Sequence, residues 1–331
     1  MWGEQKLIWY KRILVMLVTV LFAMTLTFIL IRIMPGDPVD SMAMDMVRTQ
    51  GMNYEEAYRQ AKAILNYDPE VPIIVQYFSY VKQLARGSLG QSMIYKTSVV
   101  DIIGGSLPWT IFLLSISTLL AFLVGIIAGM YVAWKRKTIL DPILSVYSSV
   151  MSSIPNYIVG LLLILVFSVW LKKLPSSGAY DTSVEPGFNW KFFGNVFKHS
   201  LMPIGAFFLT TVGNWALAMK GNAISVLGED YVNAAKVRGL KQRRIILSYV
   251  GRNAILPLVT NLAITFGMMF GGSPLVENVF AYPGVGYFLN QSVGRRDFML
   301  MQGMFLTITV AVVISNFIAD ILNSILDPRL R

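Results

Sequence analysis

The chain has no cysteine, so disulfides, thiolate metal sites and thiol catalysis are excluded. It has one histidine, His199, and only 14% of its 331 residues are Asp, Glu, Lys or Arg. No GxxxxGK[ST] phosphate loop, HExxH helix or nucleophile elbow occurs, nor any clustered acid pair, so ATP binding in a phosphate loop and the common hydrolytic chemistries have no residues to carry them. Hydrophobic residues make up 55%, and the mean hydropathy is +0.59. That leaves too little polar surface to coat a soluble globule, and the composition is that of a membrane protein.

Six runs of 19 or more residues lack any charge: 13–31, 102–134, 143–171, 199–219, 253–276 and 298–319. A helix needs about 20 residues to cross a hydrocarbon core about 30 Å thick. Runs such as LLLILVF (161–167) are apolar on every side, whereas barrel strands alternate in polarity. The expected fold class is all-α and polytopic, with six transmembrane helices. The first run follows Lys6, Lys11 and Arg12 as a signal peptide would, but no small-x-small cleavage site follows it, only RIMPGDP. A retained first span is expected.

With six spans the connecting segments fall into two sets. Segments 1–12, 135–141, 220–252 and 327–331 carry 15 Lys/Arg against five Asp/Glu, while the other set carries 13 against 12 over a much longer stretch. The positive-inside rule places the basic set, and with it both termini, in the cytoplasm. The net charge of +10 then reflects orientation and contact with anionic membrane lipid. No nucleic-acid partner is expected, because the charges are scattered and no recognition signature accompanies them.

On the outer side, residues 32–101 are polar enough for a small helical subdomain. Tyr54, Ala57, Tyr58, Ala61, Ile64 and Leu65 recur at helical spacing, ended by Asp68 and Pro69. Ile73, Tyr77, Val81 and Leu84 mark a second amphipathic helix before Gly87. The other outer connections, 172–198 and 277–297, read as Gly- and Pro-bearing loops. Their charges Glu277, Arg295, Arg296 and Asp297 read as solvated, with pairing among themselves or contact with another protein as the alternatives. Trp9, Tyr10, Trp109, Trp134 and Trp170 fit the interfacial aromatic belt.

The largest inner segment, 220–252, contains EDYVNAAKVRGLKQRRIILSYVGR. Glu229 and Asp230 suit the start of a helix over 229–237, Ala234 and Ala235 permit close approach of another surface, and Gly239 can take the left-handed turn that ends it. A second helix is expected over about 242–250. An amphipathic loop lying on lipid headgroups fits the same pattern.

Asn233-Ala234-Ala235, three residues, Gly239 and then Leu256-Pro257 resemble the EAA loop of binding-protein-dependent ABC importer permeases, with Asn233 in place of the leading acid. The 18-residue step from Gly239 to Pro257 is similar to the peptide/nickel branch. So are PGDP (35–38), QYF (76–78), GSLGQS (87–92, with Ser88 where the family has Asp), SLPWT (106–110), RNAILP (252–257), GG (271–272), VENVFAYPGVG (276–286), RRDF (295–298) and the terminus DILNSILDPRLR. In order over about 300 residues, these motifs resemble the first permease subunit of a dipeptide/oligopeptide importer.

The resemblance implies a tail and first helix over 1–32, an extracytoplasmic segment over 33–99, a type I ABC transmembrane domain over 100–327 and a tail over 328–331. It implies a second homologous permease, two ABC ATPase subunits holding the ATP and magnesium, and a solute-binding protein, in a bacterial or archaeal plasma (inner) membrane. This chain would itself bind no cofactor and catalyse no reaction. The ATPase-coupling candidates are Glu229, Asp230, Tyr231, Ala234, Ala235, Arg238, Gly239, Leu240 and Arg243.

Asn316, Asp320, Asn323 and Asp327 form one polar stripe on the last span, facing the pathway or a partner subunit. Asp320, the sole acid within a span, would also suit the proton relay of a secondary carrier, though such relays generally use several ionisable groups. One histidine without cysteine gives no metal site. Oligosaccharide or nickel import within the family, and a membrane enzyme, are the other readings.

Overall fold

The computed structural model describes residues 2–33, 37–65, 71–135, 138–268 and 274–326. Helices follow one another throughout: α1 (Trp2–Ile33), α2 (Pro38–Gln50), α3 (Tyr54–Leu65), α4 (Ile73–Ala85), α5 (Val99–Trp134), α6 (Leu140–Ser153), α7 (Asn156–Trp170), α8 (Trp190–Leu227), α9 (Asp230–Val237), α10 (Gln242–Ala254), α11 (Leu256–Met268), α12 (Pro274–Val279), α13 (Val285–Gly294) and α14 (Phe298–Leu326). Among the described residues there is no strand, only an isolated bridge between Gln91 and Ser98.

Four of these helices, α1, α5, α8 and α14, are long and apolar enough to cross a membrane unaided. The third and fifth expected spans are each broken instead. Helices α6 and α7 meet at 96°, and α10 and α11 at 46°. Proline causes the first break: it disfavours helix in the residue before it, and Pro155 leaves Ile154 extended at ψ 122. The runs of uncharged residues locate all six hydrophobic stretches, but the run of 29 is two helices rather than one.

The contacts divide the chain into two compact units, one of residues 1–110, 270–274 and 283–314, the other of 111–269, 275–282 and 315–331. In the first, α2 and α3 form a hairpin whose core is Val39, Met42, Ala43, Met46, Ala57 and Ala61. Helix α2 was not expected, although its signals are in the sequence. The Asp37 side chain caps it by accepting from the Val39 N–H at 2.8 Å, proline occupies its first turn, and Gly51 ends it at φ +69. Helix α4 lies on α1 through stacked Phe28 and Tyr80 and the Thr25–Tyr77 hydroxyl contact of 2.7 Å.

The stretch 277–297, read as a loop with solvated charges, is largely helical. Two of its charges are buried: Glu277 and Asp297 are both 0% exposed, while Arg295 and Arg296 are exposed. Asp297 starts α14 by accepting the Leu300 N–H at 3.1 Å. Its other oxygen takes the Ser92 hydroxyl at 2.5 Å and the Ile94 N–H at 3.0 Å. One buried carboxylate thus ties the 92–96 turn to the head of the last span.

In the second unit α8 is the central post. Helix α6 runs antiparallel along it: Asp141 pairs with Lys220, Ser148 meets Gly213 and Asn214, and the Tyr147 hydroxyl donates to the Leu209 carbonyl at 2.7 Å. On α5, Gly125 and Gly129 let the backbone of α8 come so close that a Cβ on Gly129 would lie 2.1 Å from the Ala216 carbonyl oxygen.

Candidate functional site

The loop that follows α8 is built from its own sequence. Gly228 ends α8, Glu229 is extended at φ −71 and ψ 145, and α9 runs from Asp230 to Val237. Gly239 then takes φ +70, where the Gly239 N–H donates to the Lys236 carbonyl and the Leu240 N–H to the Ala235 carbonyl. The chain turns into α10, whose Ile245–Gly251 stretch is π-helical. The expected helix, glycine turn and helix are all present.

One face of α9 is glued down. Val232 and Ala235, 0% and 2% exposed, pack with Met219, Ala223, Ile245, Val250, Ala254 and Leu258, and Leu240 packs against the same cluster. Ala235 therefore differs from expectation: its small side chain brings α9 close to its own domain and is not offered to another molecule. Tyr231 braces the hairpin, its hydroxyl accepting from Asn253 Nδ2 at 2.9 Å, while the same amide nitrogen donates to the Tyr249 carbonyl.

The other face is open. Glu229, Asp230, Ala234, Arg238, Gly239 and Arg243 are exposed, and Tyr231 is 41% exposed. Sequence reasoning missed Val237, which is 90% exposed at the tip of α9. An isolated valine in a charged stretch carries no period, so only the turn that thrusts it outward identifies it. Arg238, Arg243 and Arg244 form no ion pair among the described residues. The result is a rigidly seated helix tip whose exposed Val237 is flanked in the chain by Lys236 and Arg238. Such a tip can bind an apolar socket with an acidic rim.

The polar stripe on the last span is placed in part. Asn316 is exposed on α14; Asp320 and Asn323 belong to the same helix, but their side chains, like all of Asp327, lie outside the described residues, as do Gly271 and Gly272. His199 is buried, its Nδ1 2.9 Å from the Asn195 carbonyl and its Nε2 3.5 Å from Asp181.

Apolar helices long enough to cross a membrane, with a braced and exposed basic hairpin between two of them, define a membrane-embedded protein that presents a rigid hairpin outside its spans. Residues 123–331 match the family described as binding-protein-dependent transport system inner membrane component, and the chain belongs to that family. The match begins within α5 and runs to residue 331. The chain is 32% identical to the di/tripeptide transport system permease protein DppB of Pseudomonas aeruginosa (strain UCBPP-PA14), over 96% of each chain. It is 32% identical to the oligopeptide transport system permease protein AppB of Bacillus subtilis (strain 168), over 92% of this chain and 93% of that one. It is 30% identical to the oligopeptide transport system permease protein OppB of Haemophilus influenzae, over 97% and 98%.

Proposed function

We propose that this chain is the permease subunit of an ATP-driven importer of di- and oligopeptides, forming half of the translocation pathway beside a second, homologous permease. The near full-length likeness to permeases named for di/tripeptide and oligopeptide transport supports the substrate class. Two ABC ATPase subunits hold the ATP and magnesium, and a solute-binding protein delivers the peptide. The absence of a phosphate loop supports the placing of hydrolysis on partners. Both termini and the 220–252 loop face the cytoplasm, as the concentration of Lys and Arg there supports.

The observation that carries the reading is the α9–Gly239–α10 hairpin, buried on one face and bare on the other. A load-transmitting contact needs both. Val232 and Ala235 root it in the spans, so a push on Val237, Tyr231 and Arg238 moves helices rather than a loose loop. Closure of the ATPase pair delivers that push, and the spans respond by exchanging outward for inward access.

Proteoliposomes holding the complete complex should accumulate a labelled tripeptide only with ATP and the binding protein present. Uphill accumulation by this chain alone, driven by an ion gradient, would overturn the reading in favour of a self-sufficient carrier.

A further inference from the structure

Hydrocarbon solvates no polar group, so a polar side chain that is exposed at membrane depth must meet protein or water. Among the exposed polar side chains of the second unit are the carboxamides of Asn214 on α8 and Asn261 on α11 and the hydroxyls of Ser149, Ser152 and Ser153 on α6. The Ser152 and Ser153 hydroxyls donate to the Ser149 carbonyl at 3.3 and 2.8 Å, which leaves their oxygens open to accept. Asn214 and Asn261 lie at similar distances along their helices from one shared pin. The Asn222 amide donates to the Ala254 carbonyl at 3.1 Å and pins α8 to the start of the fifth span. From that bond Asn214 lies about 12 Å up α8, and Asn261 about 10 Å further along its own span, at about 1.5 Å per residue.

Helix α6 reaches the same level. From the Asp141–Lys220 pair, Ser148 lies about 10 Å along α6 and contacts Asn214, its hydroxyl donating to Asn214 Oδ1 at 3.2 Å. Ser149, Ser152 and Ser153 follow at i, i+3 and i+4 on one face and end at the 96° break, about 18 Å along α6 from the pair and inside the uncharged run 143–171. Broken helices at membrane depth are tolerated where they line a cavity or are covered by protein.

We infer that Asn214, Asn261, Ser149, Ser152 and Ser153 form the polar wall of the pathway in this subunit, along which the peptide backbone slides. The inference rests on the permease reading and names the surface it uses. Carboxamides and hydroxyls both donate and accept, which matches backbone N–H and C=O groups of any peptide. The run 143–171 holds no charge, so no side chain there would trap a charged cargo. Passage requires contacts weak enough to leave.

The absence of cysteine makes the test clean. In the complete complex in liposomes, Asn214→Cys, Asn261→Cys and Ser152→Cys are treated with a membrane-impermeant cationic methanethiosulfonate, and the adduct is read as a mass shift of this subunit. Leu161→Cys and Ile127→Cys, exposed apolar positions on the same unit, serve as lipid-facing controls. The pathway positions should react at least about tenfold faster than the controls, and the adduct should cut tripeptide uptake at least about tenfold. Reaction no faster than the controls, or fast reaction with uptake unchanged, overturns the inference. Ser152→Cys exchanges a single atom and keeps the test open if an asparagine variant does not assemble. Should the unlabelled parent take up no peptide, the substrate reading fails, while the labelling rates still report where water reaches.

Discussion

Three residues show how much a single side chain decides here. Asp297 is wholly buried and accepts three hydrogen bonds, from Ser92, Ile94 and Leu300. Asp297→Ala would leave those donors buried without partners, at a cost on the order of 3 kcal/mol. A fall in melting temperature of the purified subunit, smaller for Asp297→Asn, checks this. At Gly239 nothing lies within 4 Å of a would-be Cβ, so bulk is not the obstacle; the positive φ is. Gly239→Asn should keep the turn and the coupling, whereas the β-branched Gly239→Val should lower peptide uptake per ATP hydrolysed at least about fivefold, because that backbone region costs it more than 1 kcal/mol. Vesicle uptake measured beside ATPase rate separates the two variants.

The third residue is Tyr80, whose hydroxyl burial pushes up to about 12. Its folded-state value exceeds the ordinary value of about 10, so the stability it contributes is full below pH 10 and is lost as pH rises through about 12. Tyr282, also raised by burial and by nearby Glu277, shifts the same way. An alkaline titration followed by phenolate absorbance should show the wild type losing these two late, together with unfolding. Tyr80→Phe should reduce the late step and leave the early ones.

At the scale of elements, the joint between α5 and α8 is set by Gly125 and Gly129. Their missing side chains admit Val212, Trp215, Ala216 and Met219 at backbone distance. Gly129→Leu cannot be fitted without separating the two helices, and overpacking of this kind costs about 3 kcal/mol or more. The expected result is loss of the folded subunit from the membrane fraction, with Gly104→Leu, where nothing lies within 4 Å, retained as the control. The broken pairs belong to this scale too. Pro155 and Pro257 are plain in the sequence, yet a proline can kink a helix slightly or sever it. Packing of α7 across α8, where Gly160 and Gly205 admit Phe280 and Leu163, settles the larger bend.

For the whole molecule, the surface proposed to meet the ATPase subunits is the exposed tip of α9 with Val237 and Arg238. Val237→Asp should weaken association with the ATPase subunits at least about tenfold in a detergent pull-down without lowering the melting temperature of the permease, since Val237 is 90% exposed. Arg238→Glu should act in the same direction and more strongly at low salt. A melting-temperature loss in Val237→Asp would mean that the residue serves the fold and not the contact.

The span positions, the α9 and α10 helices and the α3 and α4 helices were legible because each rests on local rules: length of apolar run, helical period, cap and stop. Helix α2 was missed although Asp37, Pro38 and Gly51 spell its ends. Its apolar face is short and rich in methionine, so the helical period over it is weak. The burial of Asp297 had no local sign, since a carboxylate beside two arginines looks like surface until partners more than 200 residues away are in place.

By itself the sequence determined that this protein is a membrane protein, where its hydrophobic stretches lie, and that its hairpin after α8 turns at Gly239. Those follow from transfer free energy and local backbone preference, which each segment expresses independently. Only the tertiary structure decided that Ala235 points inward and Val237 outward, that Asp297 is a buried clamp, and that Asn214 and Asn261 stay uncovered. These depend on which surfaces other helices cover, a property of the packed bundle and not of any segment alone.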